Sequence, residues 1–233
     1  MLWTLGGLYF SWTQIEAIRG EHLHHHAAIE PEGEMVSLSE AIAGKLVNGE
    51  KIDLSGVRIV RVLGETYYSV AFLDRELNDR RMLIRASDGR RREPVNEIEA
   101  AQIAVTSIHE PARVLSVELV TKEIAGGHHE YRGKPLPAWA VNLEHGEGVT
   151  AYIGADDGQV HAMRTNSWRM FDFLWMMHTM DFDGRDNINN YVLRAFSILG
   201  IITVMSGFLL FFVSSKNIRR LSRVLSRRKS TKY

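Results

Sequence analysis

Cysteine is absent from the 233-residue sequence, which removes disulfides, thiolate metal sites, iron–sulfur clusters and thiol nucleophiles together. Ten His and nine Met are left as the soft ligands. Charge is missing from residues 195–215, and acids are missing from the 18 residues after them, which carry eight bases. All 28 acids therefore lie before residue 195, against 20 bases, so the formal net charge of zero hides a split chain. Such a split excludes a nucleic-acid binder and a plain soluble protein. At 26.5 kDa there is room for one modest domain with attachments, or two small ones, and none for two large catalytic domains.

What is present decides the class. Residues 195–213 read AFSILGIITVMSGFLLFFV. At ~1.5 Å per residue, this stretch matches the ~30 Å hydrocarbon core of a bilayer. It predicts a transmembrane helix within 191–215. The bases Lys216, Arg219, Arg220, Arg223, Arg227, Arg228, Lys229 and Lys232 follow it, so residues 216–233 form a basic cytoplasmic tail. Leu221, Val224 and Leu225 among them suit a short amphipathic helix on anionic headgroups. At the other end, MLWTLGGLYFSW is apolar but too short to cross, and it lacks the basic start and small-residue cleavage site of a signal peptide. With Trp3, Tyr9, Phe10 and Trp12 as interfacial aromatics, residues 1–20 read as the outer half of a first transmembrane helix whose inner half lies upstream of Met1. Residues 21–165 are then periplasmic, and 166–190 form a membrane-surface helix and loop.

An internal repeat spans the middle. Ile84-Arg85-Ala86-Ser87-Asp88-Gly89 recurs as Ile153-Gly154-Ala155-Asp156-Asp157-Gly158 at an offset of 69, and Tyr68, Val70 and Phe72 recur as Trp139, Val141 and Leu143 at an offset of 71. The two-residue difference falls in the hairpin loop. Each copy ends in an Asp-Gly turn signal. The first copy (about 37–92) opens with a capping box, Ser37 to Glu40, a helix over 39–47 and a strand over 57–62; the second (94–165) has a helix over 94–105 and a strand over 113–120. The fold class is α+β, a tandem α-β-β-β unit anchored by transmembrane helices.

SVELV, WAVNL and AYIGADDGQV of the second copy resemble the PepSY domain, the first copy less closely. Residues 168–182, then Gly184-Arg185 and a Gly-containing apolar helix ending Ser206-Gly207-Phe208-Leu209, resemble the PepSY-associated transmembrane family. Met177-His178-Thr179 stands where that family carries an L-H-t-G-like element ahead of a membrane helix. The resemblance covers about 37–215. It departs in having one complete membrane helix and one candidate membrane histidine. It implies a bacterial inner-membrane protein that binds, inhibits or assists assembly of a partner protein, or, for the family's reductases, a haem- or metal-linked redox component.

Candidate site residues follow. His178, among apolar neighbours, is a candidate haem ligand by that resemblance, against a histidine that hydrogen-bonds a helix end or headgroup. His22, His24, His25 and His26 have metal-ligand composition, with His22 and His26 on one face if helical, against an exposed polar turn; a periplasmic metal carrier is the third reading. His128-His129 lies in the loop over 122–137. Asp88 and Asp157 read as turn residues. Gly126-Gly127 lacks the context of a phosphate loop. No catalytic constellation emerges. Gly200, Thr203 and Gly207 form a small-residue stripe suited to close helix packing, against the upstream helix or a second copy. Partners are then the bilayer, a protein met through the domain or the membrane helix, and a candidate homodimer, with no nucleic acid.

Overall fold

The computed structural model describes residues 2–24, 33–42, 54–73, 79–126, 128–185 and 187–215. The chain divides into two compact units, Met1–His178 and Thr179–Tyr233. The class is α+β, with six α-helices and two antiparallel four-stranded sheets among the described residues.

In the first unit, α1 (Leu2–Trp12), α2 (Ile15–Ile18) and a 3-10 turn (Glu21–Leu23) precede α3 (Leu38–Ile42). The first sheet follows: β1 (Leu54–Val62), β2 (Glu65–Leu73), β3 (Asp79–Arg85) and β4 (Arg91–Arg92), in that spatial order. Then come α4 (Glu97–Ser107) and the second sheet, β5 (Arg113–Val120), β6 (Ala138–Glu144), β7 (Thr150–Gly154) and β8 (Val160–Arg164), again in chain order. α5 (Asn166–Thr179) closes the unit.

Strand periodicity places alternate residues on opposite faces. On β2, Tyr68, Val70 and Phe72 face Ala41 of α3, together with Met82 and Ile84 of β3. On β6 and β7, Trp139, Val141, Leu143, Ala151 and Ile153 face Ala100, Ile103 and Ala104 of α4. Tyr67, Val60, Val62 and Leu83 of the first sheet join that α4 cluster, so one core spans both sheets. The far face of the second sheet carries a satellite core of Val120, Ala138, Ala140 and Tyr152 around the fully buried Tyr131.

The two sheets agree bond by bond. Ile84 pairs with Tyr68 and Arg91; Ile153 pairs with Trp139 and Val160. Gly89 N donates to Arg85 O and Arg85 N to Arg90 O, and Gly158 N donates to Gly154 O and Gly154 N to Gln159 O. Val36 N donates to Ala86 O and Val95 N to Ala155 O, which ties each helix entry to its sheet. The first strand of each sheet breaks register once, at Leu54/Gly56 and at Val114/Ser116.

Several sequence expectations shift. The Asp-Gly turns lead into a fourth strand in each sheet, so the unit is α-β-β-β-β. In the first sheet this strand is two residues long, because Pro94 follows within two residues and has no N–H to extend the ladder. The second helix starts at Glu97, where Asn96 makes a full capping box with Glu99, and so excludes Pro94. At the first helix, Glu40 N donates to Ser37 Oγ, half of the box expected there. Beyond Ile42 the expected helix over 39–47 lies outside the described residues, as do the basic tail and its amphipathic helix.

In the second unit, Asp181 accepts from Gly184 N and Asn187 N, and Asn190 caps α6 (Tyr191–Ser214) by accepting from Leu193 N. α6 is long and apolar enough to cross a membrane, with mean hydropathy 2.4 over its most apolar 18 residues and none of these buried in the protein.

Candidate functional site

The sheets differ in one connection. β1 and β2 are joined by Leu63-Gly64, both at positive φ, a two-residue hairpin turn. β5 and β6 are joined by residues 121–137, and this longer connection carries most of the chemistry of the domain.

Tyr131 in it is fully buried, stacked on Tyr152 at 4.5 Å, and its hydroxyl meets Pro135 O at 2.8 Å and His161 Nδ1 at 2.7 Å. The other ring nitrogen of His161 meets both carboxylate oxygens of Asp157 at 2.9 and 3.0 Å. Arg81 of β3 donates to Asp157 Oδ2 at 2.6 Å. Burial alone would raise the Asp157 carboxyl, but the hydrogen bond and charge of His161 and the Arg81 guanidinium outweigh it and hold it below the usual range. The row Tyr–His–Asp has the order of a nucleophile, a base and an orienting acid. Its geometry opposes that use: burial pushes the phenol well up, and the adjoining void is about 10 Å³, room for one water at most. The row is an inter-sheet clamp. Asp157 is the turn residue foreseen, accepting from Gln159 N, and the clamp is the part that sequence spacing did not expose.

Glu130 and Arg132 tie the same connection to α5. Glu130 takes Arg169 at 2.8 and 3.1 Å and Tyr152 Oη at 2.9 Å, and Arg132 pairs with the buried Asp172 at 2.8 Å. β5 borders this face. Among the described residues it is an outer strand, paired to β6 alone, with Leu115 65% exposed and Val114 and Leu119 also open. A groove of about 520 Å³ lies over this face of the sheet, lined by Leu119 of β5, Ala140 of β6, Tyr152 of β7 and Ile124 of the connection.

His178 sits in an aromatic cage between α1 and α5. Trp3 stacks on its ring at 4.7 Å and donates from Nε1 to His178 O at 3.0 Å, and Phe10 meets it edge-on at 5.4 Å. The Nδ1–Cε1 edge lies over Gly6 and Gly7, where built Cβ atoms would stand 3.7 and 3.5 Å away. Nδ1 is buried without an acceptor. A haem iron could approach only through Nε2, because the Nδ1 side is filled by α1.

His22 Nε2 lies 3.5 Å from Glu147 Oε1 on the exposed surface, and His24 forms a backbone bridge to Ile108. His25 and His26 lie outside the described residues. His129 Nδ1 accepts from Tyr131 N, a turn role. Among the described residues no group of three His, Asp or Glu could hold a metal ion. Among the described residues, and the helix's own backbone apart, no Cβ at Gly200 or Gly207 would meet an atom within 4 Å, and Thr203 Oγ1 bonds its own helix at Leu199 O.

The sequence matches no family model, no curated protein and no solved structure.

Proposed function

We propose that this chain is a bacterial inner-membrane protein that presents a tandem PepSY-like domain to the periplasm, where it binds a partner protein to inhibit it or assist its assembly. The carrying observation is β5. An eight-residue outer strand with exposed Val114, Leu115 and Leu119 is a template for strand addition. Natural edges are guarded by charge or proline; β5 has Arg113 and Glu118 only near its ends. The apolar α6 and the eight bases after it support the anchor and its direction. The small-residue stripe of α6 suits a second copy or another membrane helix.

A photo-crosslinking residue at Leu115 in living cells tests the reading. It is expected to give one discrete protein adduct, absent from a control at the exposed Asp88 and lost when Leu119→Lys is added. Identical adducts from both positions, or none from Leu115, would remove β5 as the docking strand.

The redox alternative rests on His178, whose aromatic seat against α1 leaves only Nε2 for a metal. Detergent-purified chain with a Soret band that His178→Phe abolishes would favour it.

A further inference from the structure

A second cavity lies away from the β5 groove and has a different chemistry. About 580 Å³ in volume, it is bounded by Arg19 and Glu21 after α2, Lys134 of the β5–β6 connection, β8, and Trp168 of α5. Three cations line it. The guanidinium of Arg164 stacks 3.8 Å over the Trp168 ring, and Arg164 is only 7% exposed. Its Nε donates to Glu130 O at 3.1 Å and Nη1 to Met163 O at 3.5 Å, which leaves Nη2 without an acceptor among the described residues.

The local carboxylates offset this group only in part. Glu130, which acts on Arg164 through space, is itself engaged by Arg169 and Tyr152. Glu21, at the rim, is 4.0 Å from Arg19 and about half exposed. Lys134 has no ion pair or hydrogen bond among the described residues. Burial, then the charges of Arg164 and Arg19, push its amine down, and burial brings Arg164 down to about 10. Burial outweighs the opposing charge of Glu130 at Arg164, and at Lys134 it adds to the repulsion of the two guanidiniums. The Trp168 N–H is also buried without an acceptor. His161 forms wall only, since both its nitrogens serve the clamp.

Burying a guanidinium without a carboxylate is costly unless a counter-ion completes it. Three cations arriving from separate elements suit an anion with three oxygens and a charge near −2 better than the two coplanar oxygens of a carboxylate. The volume lies in the range of organic ligand sites and far exceeds a bare oxyanion. We propose that this cavity binds the phosphate group of an organic phosphate ester, with Arg164 and Lys134 as its principal ligands, Arg19 at the rim and Trp168 beneath.

Such a group can belong to a soluble metabolite or to a phospholipid headgroup, and calorimetry on the full chain in nonionic detergent separates the two. The titrants are glycerol 3-phosphate, dihexanoyl phosphatidic acid below its micelle concentration, and succinate as a dianionic carboxylate control. One of the phosphate esters is expected to bind at least tenfold tighter than succinate, and the tighter of the two assigns the source. Lys134→Gln and Arg19→Gln, both at the open rim and expected to melt like the parent, should each weaken binding by about tenfold, the loss of one charge-assisted hydrogen bond. No binding, equal binding of succinate, or affinity unchanged in both variants would overturn the proposal. A crosslink lost at Leu115 with phosphate binding intact would leave it standing, so its failure and that of the partner-binding reading are distinguishable.

Discussion

Arg81 of β3 and Asp157 of the β7–β8 turn, 76 positions apart, meet at 2.6 Å with Asp157 almost fully buried. The corresponding acid of the first sheet, Asp88, accepts from Arg90 N and pairs with Arg85 and Arg90 on an exposed turn. The same residue in the same turn therefore does two jobs. At Asp88 it closes a local turn, and at Asp157 it also locks one sheet to the other.

Asp157→Asn should then destabilise the domain by about 2–3 kcal/mol at pH 7, since Arg81 and His161 lose a charged acceptor in a buried setting. Asp88→Asn should cost little, because exposed pairs contribute about 0–1 kcal/mol. Thermal melts of the two variants under one buffer condition make the comparison. Equal losses would mean that Asp157 is a turn residue and nothing more.

The sign of the pH dependence follows from the same carboxyl. Its folded pKa lies below the unfolded value near ~3.9, so its stabilisation is complete above that value and fades as pH falls through the lower folded one. Melting temperature in the parent should therefore fall more steeply below about pH 4 than in Asp157→Asn. Parallel curves would show that other acids govern acid unfolding.

Gly154 offers a test that leaves the charges in place. A Cβ there would stand 2.2 Å from Asp157 Oδ1 and 2.6 Å from His161 Cε1, so Gly154→Ala must displace the clamp. A loss of about 2–4 kcal/mol is expected, against the ~1 kcal/mol gain that a Gly→Ala change brings where the backbone and space allow it. A neutral or stabilising result would mean that His161 moves aside freely and that the clamp contributes little.

Much of the fold was legible because it repeats. Ile84 and Ile153 stand at the same register, each fully buried toward its own helix, and the shared I-x-A-x-D-G marks that position in both copies. The fourth strands were not legible. Arg91-Arg92 carries no apolar alternation, and in Val160 to Arg164 the adjacent Ala162 and Met163 break it, so neither has the period-2 pattern of a half-buried strand. The site residues were harder still. Arg81, Tyr131 and the β8 pair His161 and Arg164 belong to three separate segments, and only the tertiary fold brings them together. The length of the β5–β6 connection against a two-residue turn was the one signal available. His178 was legible as special from its apolar surroundings, but its seat over two glycines needed α1 in place.

That seat is testable through Gly6. Its built Cβ meets His178 Nδ1 at 3.7 Å and Phe10 Cε2 at 3.8 Å, ordinary contact distances, so Gly6→Ala should be tolerated while Gly6→Leu should force α1 away from α5. The cysteine-free background gives a clean measurement, crosslinking Phe10→Cys to Phe171→Cys with a short bis-maleimide; the native rings lie 5.0 Å apart. The crosslink should persist in Gly6→Ala and drop severalfold in Gly6→Leu. If both variants crosslink like the parent, the glycines do not set the approach of the helices.

The last prediction concerns direction across the membrane. α6 presents 24 residues, the most apolar 18 of them at mean hydropathy 2.4, and eight bases with no acid follow in residues 216–233. Carrying each of those bases through the bilayer centre costs ~2.5–3.5 kcal/mol even on the lenient insertion scale, so the low-energy insertion keeps the tail inside. The acidic stretch before α6 is too long to set orientation by its own charge. With a signal sequence supplied ahead of Met1, alkaline phosphatase fused after Pro137 should be active and the same enzyme fused after Tyr233 silent. Replacing Arg219, Arg220, Arg223, Arg227 and Arg228 with Gln should raise the second signal, because it removes the charge that holds the tail. Activity at Tyr233 with silence at Pro137 would invert the topology, and it would move β5, His178 and the cationic cavity to the cytoplasmic side.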